Sequence, residues 1–229
     1  MDTAANRSPA PPTSGNYARI ARLYRSLEYI AFGRSLEAAR STFLDSLADC
    51  RSIAVFGAGD GRCFKPLLSA APQARFISLD LDAVMTSLAQ THVSRLGAAE
   101  RVQFVCADVR TLPSQPGTYD GVVTQFFLDC FADEDLQQIV PLIAGNLTPA
   151  GPWLFADFAI PTSPPLTRWR AKLWIWVLCS FFRWQTGHSL RSLPPMDAAL
   201  RRNGFVCERE RSRSAGLIRS ALYRRGERR

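Results

Sequence analysis

The 229 residues are 47% hydrophobic and 21% charged, the make-up of a single domain with a substantial core and not of a disordered or fibrous chain. Six cysteines without a C-x-x-C pair, and only two histidines, His92 and His188, argue against a disulfide scaffold or a zinc site. No metal is therefore expected, and reduced thiols in a cytoplasmic protein are. The net charge of +8 gathers at the end of the chain, where residues 201–229 hold ten arginines against three glutamates. Such an end reads either as a solvated hairpin or as a contact for polyanions or anionic lipid.

In chain order, residues 1–15 are rich in Pro, Ser, Thr and Ala, lack the apolar run of a secretion signal, and read as a disordered arm. Apolar positions then recur every three or four residues from Asn16 to Leu47, predicting two helices separated at Gly33, the second covering 34–47. From Arg51 strands are expected at 52–57, 75–80, 102–107, 119–124 and 152–158. Helices fall between them near 62–71, 83–96, 133–147 and 165–184. That alternation predicts an α/β fold, a parallel sheet covered on both faces. Pro195–Asn203 reads as a short helix, and the segments opening at Gly204 and Gly216 as an antiparallel hairpin at the sheet edge. Cys106 and Cys130 lie in apolar, strand-like contexts and are expected to behave as small hydrophobes.

The sharpest local signal is Ile53-Ala-Val-Phe-Gly57-Ala-Gly59-Asp60-Gly61, a buried strand running into three alternating glycines. A β-carbon at these positions would keep a ligand from the backbone, and a helix from Arg62 would offer its first-turn N–H groups. The alternative is a tight strand-to-helix turn without a ligand. Acidic residues end the neighbouring strands. Asp80 follows Gly57 by 23 residues, near the roughly 20 expected of an acid that binds ribose hydroxyls. Asp82 suits the cap of the helix after it, which leaves Asp80 free for a ligand. Asp108 ends strand three, Gln125 follows strand four, and Asp157 lies in strand five. Each aspartate alone is commonly a turn or cap residue.

Together these residues resemble the class I S-adenosylmethionine-dependent methyltransferases, over roughly 51–223. The glycine loop looks like the family's first motif, Asp80-Leu81-Asp82-Ala-Val-Met85 its second, and Phe104 to Pro113, with Asp108, its third. Tyr119-Asp120-Gly-Val-Val looks like its fourth, and Leu147 to Phe155 like the approach to strand five. The resemblance implies a Rossmann-like seven-stranded sheet, mostly parallel with an antiparallel C-terminal hairpin, and an N-terminal helical cap. It implies S-adenosylmethionine as cofactor, with Gly57, Gly59, Asp60 and Gly61 against its methionine part. Asp80 and Leu81 would then lie at the ribose, Asp108 with the Val109 N–H at adenine, and Gln125 and Phe126 beside the transferring methyl. One position departs from the family, which commonly carries an acid two residues before the first glycine, near the cofactor's amino group. Here it is Val55, with Asp60 the candidate to compensate.

Methyl transfer from a sulfonium needs mainly in-line positioning, and an oxygen or carbon acceptor needs a base as well. Asp129, Asp157 and His188 are the candidates, each with a bland alternative as a cap or loop residue. Residues 169–184 crowd together six aromatic side chains and are too short an apolar run to span a bilayer. They predict an aromatic-lined pocket, with Tyr17, Tyr24, Trp169 and Trp176, for a small apolar, aromatic or lipid-like acceptor. Plain core packing and peripheral membrane contact are the alternatives, the latter from the flanking basic residues. The layout expected is a cap at 16–50, a cofactor half at 51–160, substrate-cap helices at 161–203, and a hairpin with basic tail at 204–229. An RNA or protein methyltransferase is a second reading, disfavoured because no basic stripe with interleaved aromatics stands near the cofactor mouth. A non-catalytic binding or interaction protein is a third, for which Val55 speaks. Oligomeric state has no signature.

Overall fold

The computed structural model describes residues 34–161 and 193–226, which from Ser35 onward belong to one compact unit. The arm, the helix from Asn16, and the 165–184 segment lie outside the described residues, as do Tyr17, Tyr24, Trp169, Trp176 and His188.

The elements are α1 (Ser35–Arg40), β1 (Ser52–Phe56), α2 (Phe64–Ala70), β2 (Arg75–Asp80), α3 (Ala83–Arg95) and β3 (Val102–Cys106). They continue with β4 (Gly121–Gln125), α4 (Asp133–Asn146), β5 (Trp153–Phe158), α5 (Met196–Arg202), β6 (Phe205–Arg213) and β7 (Ile218–Arg225). The strands form one seven-stranded sheet in the order β3-β2-β1-β4-β5-β7-β6. The first five pair in parallel, and β7 runs antiparallel between β5 and β6. The expected hairpin is thus present, with its second strand set inside the sheet.

The period of two along a strand divides its apolar side chains between two cores. Ala54, Phe56, Val122, Trp153 and Phe155 face Leu136, Ile139, Val140 and Ile143 of α4. Ile53, Val55, Val123 and Leu154 face Leu47 and α2 residues Phe64 and Leu67. Both faces being covered explains why these strands read as continuous apolar runs.

The expected single helix over 34–47 is two short turns. Thr42 turns its hydroxyl back to Ala38 O at 2.7 Å, Phe43 adopts φ 63°, and a 3₁₀ turn follows at Leu44–Leu47. The apolar spacing survives because Leu36, Ala39, Leu44 and Leu47 are all buried, while the Phe43 ring lies under the Arg209 guanidinium at 4.5 Å. No helix among the described residues is long and apolar enough to cross a membrane.

Candidate active site

The three glycines after β1 do different things. All have positive φ. A β-carbon at Gly57 would lie 2.5 Å from Phe127 Cδ2, and one at Gly61 2.7 Å from Ala89 Cα of α3. Those two close approaches are to the protein itself. A β-carbon at Gly59 would meet nothing among the described residues within 4 Å, so the open side of the loop is there. The helix starts at Phe64, later than expected, and the Gly61 and Phe64 N–H groups donate within the loop to Ala58 O and Gly61 O. Asp60 pairs with Arg62 at 3.0 Å.

Asp80 closes β2 directly across this loop. Its Oδ2 accepts from the Gly59 N–H at 3.1 Å and its Oδ1 from the Asp82 N–H at 3.0 Å. The carboxylate expected to be free is therefore already tied by Oδ2 to the glycine loop and by Oδ1 to its own turn, with further acceptor capacity on both oxygens. Burial pushes its carboxyl above the ordinary value, against the pull of those N–H groups. Asp82 caps α3 as expected, accepting from Val84 N and Met85 N. Leu81, between them, is 66% exposed.

Beyond β3, Asp108 accepts from its own turn at Arg110 N and is gripped by the Arg110 guanidinium. That hydrogen bond holds its carboxyl below the usual range. Val109 is buried in the core on the α4 side. Cys106 is exposed, as is Cys130. Both were expected in apolar strand settings, but Cys106 is the last residue of β3 and Cys130 sits in a surface turn after β4.

At the end of β4 the chain crosses back over the glycine loop. The Gln125 side-chain Nε2 donates to Arg40 O at 2.8 Å, while its buried Oε1 has no hydrogen-bond partner among the described residues. Phe126 takes φ 55°, a conformation costly for a bulky side chain. Its ring packs 5.2 Å from Phe158 and under the Arg40 guanidinium at 4.9 Å. Phe127 follows onto Phe56 at 6.0 Å.

The structure also brings Asp129 and Asp157 together, two candidates 28 residues apart in sequence. Asp157 is fully buried. It accepts from the Phe158 N–H at 3.0 Å and the Asp129 N–H at 3.3 Å. Burial, then the Asp129 charge, pushes the Asp157 carboxyl well above its ordinary value, and burial raises Asp129 too. Two carboxyls so placed resist ionising together. Cys130 Sγ reaches Asp129 Oδ1 at 3.5 Å. Position 55 lies in the apolar core with Val123 and Phe64, so no acid stands there.

Several arginines in the last part of the chain pair with the protein's own carboxylates. Arg201 pairs with Asp197, Arg209 with Asp45 and Arg224 with Glu208, each at 2.9 Å, and Arg219 with Glu210 at 2.9 Å. Within the described residues this end is a laced hairpin.

Glycine loop, acid after β2 and an antiparallel β7 set beside β5 are the arrangement of the Rossmann-like methyltransferase fold. The methyltransferase-domain family model matches residues 53–151, from β1 to Gly151. Mitomycin 7-O-methyltransferase MmcR is a structural relative with TM-score 0.66 at 21% identity, over 94% of this chain and 61% of that one. An O-methyltransferase family protein from Burkholderia thailandensis has TM-score 0.67 at 18% identity, over 92% and 62%. The O-methyltransferase NcsB1 of neocarzinostatin biosynthesis, solved with S-adenosylmethionine and 2-hydroxy-5-methyl naphthoic acid, has TM-score 0.62 at 15% identity, over 93% and 57%. The chain thus spans about three-fifths of the length of these relatives, and at such identities the likeness is one of fold. No curated protein matches the chain.

Proposed function

We propose that this protein binds S-adenosylmethionine at the carboxyl ends of β1 to β4 and transfers its methyl to a small-molecule acceptor. The observation that carries this is the Asp80 carboxylate, bonded to the Gly59 N–H on the one open face of the glycine loop. A donor-rich group laid on that face meets a carboxylate with lone pairs to spare and backbone that no side chain shields. When bound, the cofactor supplies an activated methyl on a sulfonium. The chain's own residues bind and orient: Asp80 and Leu81 at the ribose, Asp108 and the Val109 N–H at adenine, Gly57 to Gly61 with Asp60 at the methionine part, and Gln125 and Phe126 toward the methyl. Asp129 takes the proton of a hydroxyl acceptor, positioned by the buried Asp157. An oxygen acceptor on an aromatic molecule is favoured by the naphthoic acid bound to NcsB1. The residues expected to receive the acceptor, Tyr17, Tyr24, Trp169 and Trp176, and the further base candidate His188 lie outside the described residues.

Calorimetry with S-adenosylhomocysteine tests the reading. Binding is expected, weakened at least about tenfold by Asp80→Ala, since a hydrogen-bonded carboxylate is worth that much or more. Absence of binding by the intact protein overturns it. The non-catalytic alternative is favoured by Val55 alone, and binding without turnover of hydroxylated aromatic acceptors would select it. A polyanion acceptor is disfavoured by the internal pairing of the hairpin arginines.

A further inference from the structure

We propose that Gln125 recognises the α-ammonium of the cofactor's methionine tail, its side-chain Oε1 being the acceptor that Val55 does not provide. The inference rests on the cofactor reading above. Gln125 is 8% exposed, its Nε2 is committed to Arg40 O, and its Oε1 has no donor among the described residues. The Arg40 carbonyl also fixes the amide's orientation. A flipped amide would set oxygen against oxygen, so it is the acceptor that is left over. A buried acceptor without a partner is a standing penalty that a bound donor removes.

The sheet order says which donor. Adenine and ribose belong to the β3 and β2 ends, at Asp108 and Asp80. β1 follows and then β4, so the far end of the same ligand lies over β1 and β4. Val55 pairs with Val123 in register and Phe56 with Thr124. Continuing that register sets Gln125 beside Gly57, and the period of two puts its side chain on the Val55 face. The donor the cofactor still has to place at that end is the ammonium, with three N–H groups. On this face β1 offers only the apolar Val55, and Asp60 is paired with Arg62.

The test is a comparison of two ligands by calorimetry, S-adenosylhomocysteine and its analogue with the amino group replaced by hydrogen. The wild-type chain is expected to prefer the amino compound by about tenfold or more, the range of a hydrogen bond to a charged group. Gln125→Met should bring that preference to within about twofold while leaving binding of the analogue in place. Gln125→Glu, which keeps the acceptor and adds charge, should preserve or enlarge it. A preference unchanged in both variants overturns the assignment while the cofactor reading stands. Failure of the wild-type chain to bind either ligand overturns both. Thermal unfolding of each variant separates loss of the fold from loss of recognition, because a merely structural amide would weaken the two ligands equally.

Discussion

At the scale of single residues, the glycine loop separates packing from binding. Gly61→Ala sets a β-carbon against the α3 backbone at 2.7 Å and at φ 81°, and should cost roughly 2 kcal/mol or more of unfolding free energy. Gly59→Ala meets nothing among the described residues and bears only the strain of its dihedral, about 1 kcal/mol. It should nonetheless weaken S-adenosylhomocysteine at least about tenfold, because the new methyl stands where the ligand would lie. Denaturant melts beside calorimetry on both variants decide it; equal losses of stability would contradict the division. Sequence showed that three glycines meant close approach, but not to what. Whether a β-carbon meets Phe127, Ala89 or nothing depends on elements 28 and 70 residues further along the chain. The cap at Asp82 was legible because its signal is local. The left-handed turn at Phe43 was not, since no residue type announces it and the hydrophobic spacing passes through it unbroken.

At the scale of elements, the end of β5 holds a stored proton. The folded Asp157 carboxyl titrates well above its ordinary value, so its neutral form favours the fold. That contribution is complete below the ordinary carboxylate range and is lost as pH rises through the folded value. Unfolding free energy should therefore fall with rising pH in that upper window, by at most about 1.4 kcal/mol per pH unit for one proton. Asp157→Asn, which cannot ionise, should flatten the slope, and chemical melts from pH 5 to pH 9 measure it. A slope identical in the two proteins would show that the proton resides elsewhere. The pairing of Asp129 with Asp157 could not be read from sequence, because it exists only once the turn after β4 folds onto β5. From β1 onward the limits of the strands and helices that fall on described residues were, by contrast, legible to within about two residues, since Gly, Pro and Asp punctuate most boundaries.

At the scale of the whole molecule, two arginines of the terminal hairpin find carboxylate partners outside its strands. Of the ten arginines in residues 201–229, Arg209 pairs with Asp45 and Arg219 with Asp197, both carboxylates from outside the hairpin strands. The insertion of β7 has a consequence in the order of synthesis. The seventh strand made is the sixth in the sheet, so a growing chain that has completed β1 to β6 still presents β5, with its buried Trp153 to Phe158, as a bare apolar edge. Such an edge is a template for another chain. A protein cut after Gly216 should accumulate as soluble aggregates on size-exclusion chromatography, where a monomeric elution would refute the expectation. Until β7 docks, the nascent domain is vulnerable along its centre, and protection from its own kind arrives only with Ile218 to Arg225.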